Sequence, residues 1–392
     1  MLLSIALILL FGMILGWLCR KCMLPSLVGM LLTGILLGPY VFGVIDESIL
    51  SISADIRKIA LIIILTRAGL GLDVKGLKKI GRPAFMMCFV PASFELIGMI
   101  VLAPRLLGLS VLEAAIMGSV LAAVSPAVVV PRMVKLAEEG YGCDKGIPQL
   151  ILAGASVDDV YVIVLFTTFI GMIQGDGVSI MRFVNIPISI LAGIFIGLLS
   201  GFLLAKFFEK FHIRDTIKIL IMLSWSFILV SIEDSLKTPI TFSALIAIMF
   251  IGVSLQKYRD EVAKRLSKKY NKLWVGAEVF LFVLVGDCVN VGYLKNVGIS
   301  ALLVIAGALI LRMLGVLVCL LGTNLNRKER TFSMMAYTPK ATVQAAIGGI
   351  PLSLGLSCGD VVLTVAVLAI VITAPLGAFA IDLSYRKLLN KI

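Results

Sequence analysis

Gly154-Ala-Ser-Val-Asp-Asp-Val-Tyr161 places two adjacent carboxylates, Asp158 and Asp159, near the middle of a largely apolar run over residues 148–173. A run of that length suits one helix across a bilayer, whose core takes about 20 residues. An ionisable group at that depth costs several kcal/mol unless it is paired or faces a cavity. Successive helix residues point about 100° apart, so one partner cannot serve both acids and at least one faces a wet cavity. Neighbouring carboxylates in a poorly solvated site titrate as a coupled pair. Such a site holds protons when empty and yields them to a cation. The plain alternative is a helix–helix salt bridge, for which two adjacent acids are more than enough.

The rest of the chain reads the same way. Its 392 residues are 60% hydrophobic and only 15% charged, with a mean hydropathy of +1.09. That excludes a soluble domain, a disordered chain, a coiled coil and collagen. Continuous apolar runs, without alternation, exclude an outer-membrane barrel. The fold class is an all-α polytopic membrane protein. Apolar runs and charged breaks predict thirteen spans, near 2–19, 24–43, 56–73, 84–104, 112–134, 148–173, 183–205, 217–232, 238–256, 273–294, 298–322, 331–356 and 361–384. The N-terminal stretch lacks the charged region and cleavage site of a signal peptide and counts as a span. Seven scattered cysteines show no metal-ligand spacing and read as small buried hydrophobes.

The net charge of +12 falls on alternate loops. One side collects Arg20 and Lys21, Lys75 to Arg82, Lys206 to Lys218, the run Lys257 to Lys272, Arg327 to Arg330 and the C-terminal basic residues. The other shows Asp46, Glu47, Asp176, Glu233, Asp234 and Asp360. The positive-inside rule then sets a cell-membrane protein with its N-terminus outside and its C-terminus cytoplasmic. Gly34 with Gly38, and Gly197 with Gly201, permit close helix packing.

Further ionisable residues within spans are Arg67, Glu95, Glu278, Asp287, Arg312 and Lys340. Glu95 and Arg312 stand near the centres of the fourth and eleventh spans, fourth of six in each half, and are expected to form an internal ion bridge. Arg67 with Asp73 closes one end of the third span by snorkelling. Glu278 and Asp287 line the two mouths or sit near the interface. The fifth span carries Ser125-Pro126 and Pro131; the twelfth carries Pro339-Lys340. A proline inside a helix removes a hydrogen bond and frees carbonyls such as those of Ala122 and Ala123. These breaks fall at matching positions, with the seventh span (183–205) as a linker helix. That is the mark of two inverted repeats with a site at mid-membrane. Lys340 beside its break can balance the negative ends of half-helices.

Four segments, Thr66 to Asp73, Ala123 to Pro131, Gly154 to Asp159 and Pro339 to Ala346, give the chain its likeness. It resembles the monovalent cation:proton antiporters, the second branch of that superfamily, and within it the NHA-type sodium/proton exchangers. The resemblance implies that the broken helices cross beside Asp159, the principal cation and proton carboxylate, and its partner Asp158. It implies that Ser125 and the carbonyls of Ala123 or Val124 complete an oxygen shell. It also implies a homodimer, in which a core bundle (84–173 and 298–384) moves against a dimerisation bundle (1–73 and 217–294) within one transporter domain, 1–392. Arg312 stands where distant antiporters often carry a lysine, and a guanidinium stays charged at any working pH. A proton carried at that position is therefore not expected.

The function expected is secondary antiport of Na+ or Li+ for H+ by alternating access, with membrane lipid as environment, no nucleic-acid partner and no cofactor. The alternative in transport is sodium-coupled uptake of an organic anion on a related plan. An intramembrane aspartyl protease is disfavoured because neither of its aspartate settings appears, and an enzyme is not expected; a channel would be told apart by flux rates.

Overall fold

The computed structural model describes residues 1–72, 81–175, 180–236 and 242–391, and within these the side chains of all but residues 156, 180–187 and 293–297. Asp73, Lys75, Lys78, Lys79 and Asp176, and with them the expected Arg67–Asp73 contact, lie outside the described residues. Among the described residues the regular structure is helical, and extended backbone pairs only at an isolated Tyr141–Lys391 bridge.

The chain runs through α1 (Leu2–Lys21), α2 (Ser26–Leu37), the short α3 (Glu47–Ser51), α4 (Ser53–Gly71), α5 (Arg82–Met87), α6 (Val90–Leu107), α7 (Val111–Leu121), α8 (Pro126–Glu138) and α9 (Ile147–Gln174). It continues through α10 (Ile180–Lys210), α11 (Asp215–Ser235), α12 (Ala244–Tyr258), α13 (Asp260–Asp287), α14 (Val291–Leu320), α15 (Arg327–Ala336), α16 (Thr342–Ile347), α17 (Ile350–Ser353) and α18 (Gly359–Leu388). Each expected span has a helical counterpart, with α5 and α6, α7 and α8, and α15 to α17 forming interrupted ones. Eight helical stretches among the described residues are long and apolar enough to cross a membrane, and α2 and α12 are shorter apolar helices.

One difference from the sequence reading is local. The basic run from Lys257 to Lys272 is helical rather than a loop, broken only near Arg259. Lysine, arginine and glutamate favour helix, Lys264 pairs with Asp260 at i,i+4, and Val262, Leu266 and Tyr270 repeat at four-residue spacing as a buried stripe. The cysteines are a second difference: Cys88, Cys319 and Cys358 are buried, but Cys19, Cys143 and Cys288 are half-buried and Cys22 is exposed.

Contacts divide the chain into two compact units, residues 1–54, 73–170 and 279–392 in the first, and 55–72 and 171–278 in the second. In the first, α1 buries a stripe of Ser4, Ile8, Gly12 and Gly16, and leaves Leu2, Leu3, Leu10 and Ile14 outward. A Cβ on Gly29 would strike the Leu15 carbonyl, so α1 and α2 touch backbone to backbone. Gly34 lies likewise against the Val283 carbonyl and Gly38 against Asp287. In the second unit Gly193, Gly197 and Gly201 of α10 meet Ser243, Ala247 and Ile251 near and along α12. With lipid as apolar as leucine, such close approach supplies the packing that burial would supply in water.

Candidate functional site

The residues of the helix crossing lie in the first unit. The fifth span stops at Leu121, runs non-helically through Ala122 to Ser125, and restarts with Pro126 in the first turn of α8. The twelfth stops at Ala336 and restarts at Thr342. The two interruptions meet: the Ser125 amide donates to the Pro339 carbonyl at 2.7 Å. Proline causes less of this than the sequence suggests. Pro126 occupies a first-turn position, where a missing N–H costs nothing, and Pro339 serves as acceptor for the other break.

A freed helix end inside a membrane needs partners for its backbone groups. Arg312, in the C-terminal half of α14 and fully buried, supplies them for both. Its Nε donates to the Tyr337 carbonyl at 2.6 Å and its Nη1 donates to the Ala122 carbonyl, so one guanidinium caps the C-terminal ends of α7 and α15. Nη1 also reaches Glu95 Oε2 at 2.8 Å, and Nη2 reaches Asp158 Oδ2 at 3.0 Å. Lys340 Nζ donates to the same Glu95 oxygen at 2.5 Å, and the Lys340 amide donates to Thr373 Oγ1 at 2.9 Å. Asp158 Oδ2 further accepts the Val124 amide at 3.0 Å.

The charges therefore balance within this cluster. Arg312 and Lys340 are matched by Glu95 and Asp158, all at most 1% exposed. Asp159 is the additional carboxylate; it is 7% exposed while Asp158 is at 0%. Several buried oxygens have no hydrogen-bond partner: Asp158 Oδ1, Asp159 Oδ1, Ser125 Oγ and Thr342 Oγ1. Buried polar atoms left bare are costly, about 1 to 3 kcal/mol each, so oxygens without donors near a surplus negative charge suit a hard cation. The Ala123 carbonyl already accepts Gln344 Nε2 at 2.9 Å.

The sequence residues thus fall as follows. Asp158, Val124, Ser125, Pro339, Arg312, Glu95 and Lys340 are joined by the contacts above, and Asp159 adjoins Asp158 in α9. Lys340 binds a carboxylate, while the negative ends of the half-helices face Arg312. Glu278 interacts electrostatically with Arg67 in the second unit, and Asp287 is buried at the end of α13. Sequence reasoning passed over Gln344, Thr373 and Tyr337, whose hydroxyl donates to the Met87 carbonyl at 3.0 Å. Gln344 stood inside a segment that carried the resemblance, and being uncharged it escaped an inventory of charges. A separate contact ties the ends of the interrupted helices remote from the crossing. Lys145, in the loop after α8, donates to both carboxylate oxygens of Glu329 at 3.0 and 2.9 Å. Glu329 is 1% exposed and also caps the start of α15 with Asn326.

Two interrupted helices meeting at a buried acid pair inside an all-helical membrane protein define an ion-coupled transporter. Residues 5–382 match the family model described as sodium/hydrogen exchanger, transmembrane. The chain is 35% identical over 390 residues to sodium/hydrogen exchanger 9B2 of Homo sapiens, covering 94% of this chain and 70% of that protein. It is 33% identical over 384 residues to sodium/hydrogen exchanger 9B1 of Homo sapiens, covering 94% and 73%. The sodium proton antiporter MjNhaP1 from Methanocaldococcus jannaschii, solved at pH 8, shares the fold with a TM-score of 0.85 over 98% of this chain and 97% of that one, at 21% identity. This chain belongs to the transmembrane sodium/hydrogen exchanger family. The organic-anion alternative finds no support in the family or in the fold.

Proposed function

We propose that this sodium/hydrogen exchanger couples its two ions by competition at Asp158 and Asp159, with Asp159 as the group that changes occupant. The observation that carries this is the charge count: Glu95 and Asp158 are already matched by Arg312 and Lys340. Asp159 in a low-dielectric setting therefore needs either protons or a cation. Na+ or Li+ would take its oxygens from Asp159, Asp158 Oδ1 and Ser125 Oγ, with backbone carbonyl from Val124 or Ala123. Both ions are cargo.

Alternating access completes the reading. The bundle 84–173 and 298–384 would carry the site and move against 1–73 and 217–294, with 183–205 linking the halves and a second copy making a homodimer. The alternation of basic loops supports an external N-terminus and a cytoplasmic C-terminus in the cell membrane. Should two protons replace one sodium ion, each cycle moves one charge, worth about 2.3 kcal/mol per 100 mV.

The test is pH-gradient quenching in proteoliposomes, with Na+, Li+ and K+ added in turn and the membrane potential clamped. Asp159→Asn is expected to reduce sodium-dependent proton movement to the level of empty liposomes while the protein stays folded. Exchange retained in that variant would overturn the assignment.

A further inference from the structure

Gln344 lies in α16, fully buried, and spends its whole amide on backbone groups of both interruptions. Its Oε1 accepts the Ala341 amide at 2.8 Å. Its Nε2 donates to the Ala123 carbonyl at 2.9 Å and toward the Leu121 carbonyl at 3.3 Å. The orientation of the amide is fixed by these partners, because an N–H must face the carbonyls and an oxygen must face the amide.

Two consequences follow for ligand supply. A carbonyl that accepts a strong hydrogen bond has part of its lone-pair capacity committed, so Ala123 offers a cation less than a bare carbonyl would. The same side chain ties the first interruption to the second through three bonds in which no ionised group takes part. The oxygens that remain without donors, on Asp158, Asp159 and Ser125, come from side chains.

We propose that Gln344 is a positioning residue that sets cation selectivity: by occupying the Ala123 carbonyl it keeps the oxygen shell small and favours the smaller alkali ion. This rests on the reading that Asp158 and Asp159 carry the cation. Choice among cations of one charge follows ligand number and cavity size. Freeing a carbonyl adds a ligand and lets the shell widen, which helps the larger ion.

The test uses Gln344→Met, which keeps the length of the side chain and loses all three bonds, and Gln344→Glu, which keeps the Ala341 contact and turns an acceptor toward the two carbonyls. In proteoliposomes of the full chain, the KM for Na+ divided by the KM for Li+ is expected to fall by about tenfold in Gln344→Met, the value of roughly one ligand's worth of binding. Gln344→Glu should shift the ratio in the same direction, and it decides the matter if the methionine variant fails to fold. A purely structural role would lower transport of both cations together and leave the ratio at the wild-type value; that result, or an unchanged ratio with full activity, overturns the proposal. Asp159→Asn measured alongside separates the two failures. Exchange surviving there refutes the aspartate reading, whereas a fixed ratio with Asp159→Asn inactive refutes only the role of Gln344.

Discussion

The two interrupted helices occupy matching places in the two halves of the chain, yet they contribute different side chains to the crossing. Around the twelfth-span break nearly every group is engaged: Tyr337 O by Arg312, Pro339 O by Ser125, the Lys340 ammonium by Glu95, its amide by Thr373, and the Ala341 amide by Gln344. At the fifth-span break the backbone is engaged as fully, Ala122 O by Arg312, Ala123 O by Gln344, the Val124 amide by Asp158 and the Ser125 amide by Pro339, but Ser125 Oγ faces no donor, and neither does Thr342 Oγ1 where the other helix restarts. The twelfth-span break brings bracing side chains of its own, Lys340 and Gln344, whereas the fifth is braced by side chains from elsewhere in the chain. A repeated architecture can therefore divide labour simply by where it places a lysine and a glutamine, without changing the backbone plan.

The comparison can be broken at its strongest point first. Arg312→Ala removes the guanidinium that caps both half-helices and strands Asp158, so a loss of about 3 to 5 kcal/mol in stability is expected. It would be read as a large drop in thermal midpoint in detergent. Glu95→Ala combined with Arg312→Ala should cost less than the sum of the single variants, since the pair shares one contact; strictly additive losses would show that the two residues act apart. Arg312→Lys should not restore the midpoint, because an ammonium cannot reach carbonyls and carboxylates in four directions.

A smaller effect sharpens the division between bracing and binding. Ser125→Ala deletes a hydroxyl that makes no hydrogen bond, so the midpoint should hold while the sodium KM rises about tenfold, equivalent to about 1.4 kcal/mol. A drop in midpoint with an unchanged KM would make Ser125 a brace like its counterparts in the other break. The smallest effect is expected from Pro126→Ala, below about 1 kcal/mol. The interruption there is held by Ser125 with Pro339, by Val124 with Asp158 and by Ala122 with Arg312. If Pro126→Ala instead abolishes exchange, the proline itself maintains the break.

Much of this was legible in the sequence because a charge inside an apolar run is conspicuous. Asp158, Asp159, Glu95, Arg312 and Lys340 could all be picked out from hydropathy alone, and so could the order of the helices. What could not be read is how those charges meet. Glu95 lies 217 positions from Arg312 and 245 from Lys340, yet one of its oxygens takes both. Pairing Glu95 with Arg312 alone left out Lys340, and assigning dipole compensation to Lys340 overlooked that a guanidinium can reach two carbonyls at once. Uncharged groups were hidden for a different reason. Gln344 and Thr373 look like ordinary polar residues until their neighbours are known. The charged run before Trp274 reads as a loop because its basic residues mask the buried stripe of Val262, Leu266 and Tyr270.

The bond from Lys145 to Glu329 gives the paired half-helices a second point of attachment, distant from the crossing. Two bodies tied at one end alone can swivel about it; a tie at the far end resists that rotation. A hinge that swings one half-helix away from its mate would have to break this ion pair as well as the contacts at the crossing.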